Sequence, residues 1–220
     1  MRLIGSLLVL LLGAPAFADL LNSQGVFEAY LDTNNGGSVP AGTFTYSQLS
    51  SGDSSLTGWT VGGAGIDLIR TYWTPHGGII SIDLAASGDG SLSRTLTTEV
   101  GQNYELRFWM AGIPTGGPNV KTMDITMGST TVTGVSFDAT GSSTTSMGWV
   151  EMVFKWTATS TSSTLQFTST SGTASGAALD DLSVTATPEP GTLAFFGLGL
   201  GALGLWRRRV ARAARSAAKS

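Results

Sequence analysis

The sequence predicts an all-β protein, an antiparallel β-sandwich of the jelly-roll type, between two apolar ends. Three observations carry that reading. Turn signals such as Asn34-Asn35-Gly36-Gly37, Gly62-Gly63, Gly77-Gly78, Ser87-Gly88-Asp89-Gly90, Gly116-Gly117-Pro118 and Gly141 recur about every 8 to 15 residues. The runs between them alternate apolar and polar side chains with a period of two, the mark of a sheet with one wet face. No stretch of the body sustains helical periodicity, and Gly and Thr are frequent throughout.

The clearest strands come in chain order. Leu92, Arg94 and Leu96 share one face of the first, so Arg94 must either be turned outward by a bulge or pair inside with an acid such as Asp83. Tyr104, Leu106, Phe108 and Met110 alternate with Glu105, Arg107 and Trp109. Met123, Ile125 and Met127 alternate with Thr122, Asp124 and Thr126. Met152, Phe154 and Trp156 alternate with Glu151, Val153 and Lys155, and Leu165 and Phe167 with Gln166 and Thr168. A body of this length in short strands makes a sandwich, with an even-stranded barrel as the other closure.

Composition excludes several functions. Only 12% of the 220 residues are charged, whereas Ser and Thr make up about a quarter, so hydroxyls wet the surface. The absence of Cys removes disulfides, thiolate metal sites and a Cys nucleophile. The body, residues 19–187, carries Arg70, Arg94, Arg107, Lys121 and Lys155 against about fourteen acids; such an acidic body does not neutralise phosphates, so no nucleic-acid partner is expected. The single histidine, His76, sits in a turn, and no G-x-S-x-G elbow accompanies it, so no catalytic residues and no enzyme activity are expected.

The ends read as addresses. Arg2, the apolar run Leu3–Leu12 and Ala16-Phe17-Ala18 form a signal peptide over residues 1–18, cleaved before Asp19. Residues 19–186 are the sandwich domain and 187–220 a tail. Within the tail Gly191–Trp206 is uncharged and Gly-rich, slightly short for a bilayer core and suited to a transient span, followed by Arg207, Arg208 and Arg209, which stay cytoplasmic. Pro188-Glu189-Pro190, the apolar stretch and the arginine cluster together resemble the PEP-CTERM sorting signal. That resemblance implies transient anchoring in the inner membrane of a Gram-negative bacterium that makes exopolysaccharide. It further implies processing by an exosortase and release to the cell surface or extracellular matrix.

The body carries Phe27-Glu28, Gly58-Trp59, Ile66-Asp67-Leu68-Ile69, Tyr72-Trp73, Ser81-Ile82-Asp83-Leu84, Gly101-Gln102-Asn103-Tyr104, Gly148-Trp149 and Ala178-Leu179-Asp180-Asp181-Leu182-Ser183-Val184. In this order, over residues 22–186, they resemble the choice-of-anchor C domain, which is similar to galactose-binding-like jelly rolls and carbohydrate-binding modules. The start departs from that family's Asn-Gly-x-Phe-Glu, reading Asn22-Ser23-Gln24-Gly25-Val26-Phe27-Glu28. The resemblance implies a structural Ca²⁺ held by Glu28, Asp180 and Asp181, whose hard oxygens suit that ion. It also implies a non-catalytic domain that binds exopolysaccharide or another glycan.

Sugars present apolar faces and many hydroxyls, met by aromatic rings beside planar polar groups. Trp109, on a wet face with Arg107 and Glu105, is the first candidate for stacking. Tyr72 and Trp73 form a second aromatic group near His76, while Trp59, Trp73 and Trp149 are equally suited to fill the core. A structural surface glycoprotein without a specific ligand, a polysaccharide-acting enzyme and a stable tail-anchored protein are the rival functions.

Overall fold

The computed structural model describes residues 19–21, 27 and 44–187. Eleven strands are described: β1 (Tyr46–Leu49), β2 (Thr60–Gly63), β3 (Ile66–Ile69), β4 (Ser81–Asp83), β5 (Gly90–Thr97), β6 (Asn103–Gly112), β7 (Val120–Met127), β8 (Thr130–Asp138), β9 (Val150–Thr157), β10 (Ser162–Ser169) and β11 (Ala177–Ala186). They form a six-stranded sheet, β1-β3-β4-β11-β6-β9, and a five-stranded sheet, β2-β5-β10-β7-β8. Every strand pair is antiparallel. The result is a β-sandwich of two open sheets, not a closed barrel.

The period-two patterns become the core. Tyr104, Leu106, Phe108 and Met110 of β6 are buried against Met123, Ile125 and Met127 of β7 and Leu165 and Phe167 of β10. Phe108 meets Phe167 edge-on at 5.3 Å between centroids, which ties the two sheets together, and stacks diagonally with Phe154 at 6.0 Å. Tyr104 and Trp156, directly opposite in register, stack at 5.2 Å. Removing each such side chain from water contributes roughly 1.5–3 kcal/mol.

No bulge turns Arg94 outward, and the acid whose charge it feels is Asp19. β5 and β10 pair without a bulge from Thr97↔Ser162 to Ser91↔Thr168, so Arg94 lies opposite buried Leu165 on the inner face. Its guanidinium reaches 5.8 Å from the Trp59 ring centroid instead of Asp83. The cation whose charge Asp83 feels is buried Lys121, whose Nζ donates to Gly116 O at 3.0 Å. Burial pushes the Asp83 carboxyl up to about 8, its two backbone donors (Ala85 and Gly176) and Lys121 pull it down, and Asp67 across the strand pair pushes it further up.

Among the described residues no helix is long and apolar enough to cross a membrane. The expected signal peptide at 1–18, the sorting residues Pro188, Glu189, Pro190, Arg207, Arg208 and Arg209, and the apolar segment 191–206 lie outside the described residues.

Candidate functional site

One bulge positions the site. On β11 the register moves from Asp180↔Trp109 to Ser183↔Arg107, so three steps on β11 face two on β6. Asp181 takes up the extra length at φ 48°, a left-handed conformation that Asp tolerates better than most residues. The kink delivers two consecutive carboxylates to the β3–β4 loop.

Asp180 is fully buried. Its Oδ2 accepts the backbone N–H of His76 at 2.8 Å and of Gly77 at 3.1 Å, and its Oδ1 accepts Asp181 N–H at 2.8 Å. Burial pushes its carboxyl up to about 7, a rise the three N–H groups oppose and the Asp181 charge assists. Gly77 permits the close approach, because a Cβ there would lie 2.5 Å from Asp181 Oδ2.

So pinned, the loop lays His76 flat on Trp109, with centroids 3.7 Å apart and planes 13° from parallel. His76 Nδ1 is 2.6 Å from Asp181 Oδ2, with both side chains 29% exposed. Trp149 stands edge-on to His76 at 6.4 Å. Its Nε1 donates to Thr74 O at 3.1 Å, and Thr74 N donates to Thr144 O at 2.8 Å, which fastens the β8–β9 loop to the β3–β4 loop. The outer face continues along β6 and β9 as a charge ladder. Arg107 Nε bonds Glu105 at 2.6 Å, Arg107 Nη1 bonds Glu151 at 2.9 Å, and Lys155 bonds Glu105 at 3.2 Å. Desolvation works against the charged form of Glu105, but Arg107 and Lys155 together hold its carboxyl below the ordinary range.

The candidate residues therefore separate. Trp109, Arg107 and Glu105 share this face, but one face of the Trp109 ring is taken by His76, and Arg107 and Glu105 bond each other. Trp73 is not at the surface. It is 3% exposed, with its Nε1 donating to Ser81 Oγ at 2.8 Å, so packing at the sheet and not ligand contact explains it. Trp59 is likewise buried, whereas Trp149 is half-exposed. Tyr72 has its hydroxyl 2.8 Å from Thr115 Oγ1, its ring edge-on to Tyr46 and 5.8 Å from the Trp73 ring. Sequence reading placed His76 in a turn and missed its role as the hub. Its only local signal was a lone His in Pro75-His76-Gly77-Gly78, and no spacing rule links that turn to Trp109 or Asp181.

Asp180 and Asp181, expected as Ca²⁺ ligands, stand side by side with part of their oxygens already engaged. Both lone pairs of Asp180 Oδ2 face N–H donors, and Asp181 faces His76. Among the described residues no group of three His or acidic side chains is placed to hold a metal ion, and Glu28 lies outside those residues.

The described residues form an all-β sandwich with a rim of aromatic, acidic and basic side chains. The chain belongs to the family described as "Protein of unknown function (DUF642)", matched over residues 31–185. Residues 186–209 match the PEP-CTERM protein-sorting motif, which marks an exported protein sorted to the cell surface and implies exosortase processing. Halomucin of Haloquadratum walsbyi is 30% identical over 148 residues, 66% of this chain, which spans 2% of that protein's length. Among solved structures, the sandwich is similar to the family 35 carbohydrate-binding module of Paenibacillus barcinonensis, at 19% identity and a TM-score of 0.42, over 66% of this chain and all of that one. It is also similar to a family 61 carbohydrate-binding module solved with β-1,4-galactotriose, at 15% identity and a TM-score of 0.44, over 60% of this chain and 90% of that one.

Proposed function

We propose that this is a surface protein of the choice-of-anchor C type whose sandwich binds glycan without chemical turnover, its ligand being the exopolysaccharide among which the processed protein resides. The observation that carries the reading is the His76–Trp109–Trp149 cluster. His76 and Trp149 project from two loops tied to each other and meet Trp109 of β6 on a face that otherwise bears hydroxyls and charges. Trp149 offers an apolar edge for a sugar face, and Asp181, Glu151 and Arg107 stand within the same patch to accept from and donate to sugar hydroxyls. His76, stacked where a sugar ring would stack on Trp109, is either a wall of the site or the group a ligand displaces.

A second reading, a structural surface glycoprotein, draws on the opposite sheet. There Thr60, Ser93, Gln166, Thr126 and Thr131 lie in one uncharged cross-strand row. Retention of the protein on immobilised host exopolysaccharide separates the two. Trp149→Ala and His76→Ala are each expected to weaken retention at least tenfold with the fold intact. Unchanged retention in both variants favours the structural reading.

A further inference from the structure

We propose that two copies of the chain associate through β9, the edge strand of the six-stranded sheet, paired antiparallel and centred on Val153. The sheet then runs on from one copy into the other. The pairing stands independently of the glycan-binding reading.

A strand at the edge of a sheet presents a row of backbone groups that invite another strand, and proteins guard such edges by shortness, bulges or charge. Four described strands end a sheet: β1 and β9 in one, β2 and β8 in the other. β1 and β2 are only four residues each. β8 is irregular, because its register on β7 shifts between Met123 and Ile125, and Gly134 there takes φ 67°. β9 is long and regular. Its eight residues, Val150–Thr157, include neither Gly nor Pro and keep one register on β6 from Met110↔Val150 to Asn103↔Thr157. Its guard is charge, Glu151 and Lys155, and that guard fails against one register.

Alternation decides which backbone groups face outward. Just past the strand, Ala158 N–H donates to Gln102 O at 3.0 Å and Ala158 O accepts Gly101 N–H at 2.8 Å, so Ala158 bonds towards β6. Hydrogen-bonding direction in an antiparallel pair alternates from residue to residue. Trp156, Phe154 and Met152 therefore bond towards β6, while Lys155, Val153 and Glu151 direct N–H and C=O at the open edge.

The side chains select the partner and the register. Centring a β9–β9 pair on Glu151 or on Lys155 sets that residue against its own copy, a like-charge pair. Centring it on Met152 or Phe154 leaves a charge opposite Val153. Centring it on Val153 sets Glu151 against Lys155 of the other copy on both sides of the two-fold axis, which is favourable. Within each chain Glu151 already bonds Arg107 and Lys155 already bonds Glu105, so the pairing adds the next rungs to a ladder that alternates in sign. On the inner face the same register sets Met152 against Phe154 and Val150 against Trp156 of the other copy. Val150 is 46% exposed and Val153 41%, and Met152 and Phe154 are only partly buried, whereas Leu106 and Phe108 on the next strand in are fully buried. A second copy covers this flank. A strand complementary to itself makes an isologous contact, which closes as a dimer instead of growing into a filament.

The test sediments the full chain, kept in detergent, and a reversible dimer is expected. Val153→Lys sets like charges across the axis. Val153→Pro removes an N–H that the pairing uses and the chain's own sheet does not. Each is expected to raise the dimer dissociation constant at least tenfold; should Val153→Pro fail to fold, Val153→Lys, on an exposed side chain, still reads the contact. Because the sequence has no Cys, a single introduced Cys bridges only between copies. Val153→Cys is expected to give a covalent dimer on oxidation, since residues paired in this way have Cα atoms about 5.5 Å apart, within disulfide range. Thr95→Cys, on the exposed face of β5, is expected to give none. A parent chain that stays monomeric, or a dimer unmoved by Val153→Lys, as association through the apolar tail would give, overturns the inference. So does oxidation that links Thr95→Cys as readily as Val153→Cys.

Discussion

Replacing Asp180 by Asn tests the buried carboxyl that pins the His76 loop. Three carboxyls sit well above the unfolded value near 3.9: Asp67 at about 6, Asp180 at about 7 and Asp83 at about 8, each raised first by burial. Between about pH 4 and those values the folded protein holds protons that the unfolded chain has released, so stability is greatest near pH 4 and falls as pH rises towards 8. Asp180 supplies up to about 1.4 kcal/mol per pH unit of that fall, and about 4 kcal/mol at most over its whole window from about pH 4 to 7. Asn cannot ionise, so Asp180→Asn is expected to flatten the decline across that window. At pH 4–5 the variant should instead be less stable than the parent by about 1–3 kcal/mol. One of the two Asp180 oxygens becomes an amide NH₂ and leaves Asp181 N–H, or those of His76 and Gly77, without an acceptor. Urea unfolding at intervals from pH 4 to 8 reads both effects. A variant whose stability falls with pH as steeply as the parent's would refute the assignment of this slope to Asp180.

Three further outcomes follow from the same geometry. Gly77→Ala sets a Cβ 2.5 Å from Asp181 Oδ2, so it should displace that carboxylate from His76 and cost about 1–3 kcal/mol in urea unfolding, with a parallel loss of polysaccharide retention. Adding EDTA should leave the melting temperature unchanged, because Asp180 Oδ2 already accepts two N–H groups and Asp181 Oδ2 faces His76; a chelator-sensitive drop would show that Glu28 or another donor completes a calcium site. Mass spectrometry of the exported protein should find a C-terminus near Pro188-Glu189-Pro190 and no Trp206, since the sorting motif spans 186–209; an intact tail argues against removal.

The sheets were legible because their signal is local. A strand with one dry face repeats every second residue, so Leu106, Phe108, Met110, Ile125 and Phe167 announced their burial without reference to partners. The sorting tail was legible for the same reason, being a contiguous order of proline, apolar and basic segments. Trp73 and Arg94 were not. Tryptophan serves core and surface alike, and only the seating of Trp73 Nε1 on Ser81 settles its place. Arg94 breaks the pattern of its own strand, and the groups it meets, the Trp59 ring and the Asp19 charge, come from distant segments. The candidate site lay furthest from view. His76, Trp109, Trp149 and Asp181 come from four separate segments, and their meeting depends on a one-residue bulge and a single left-handed backbone angle at Asp181. Side-chain alternation along one strand determines which face is wet. Which residues meet across that face is set by strand order, register and loop anchoring, and these arise only when the whole sandwich closes.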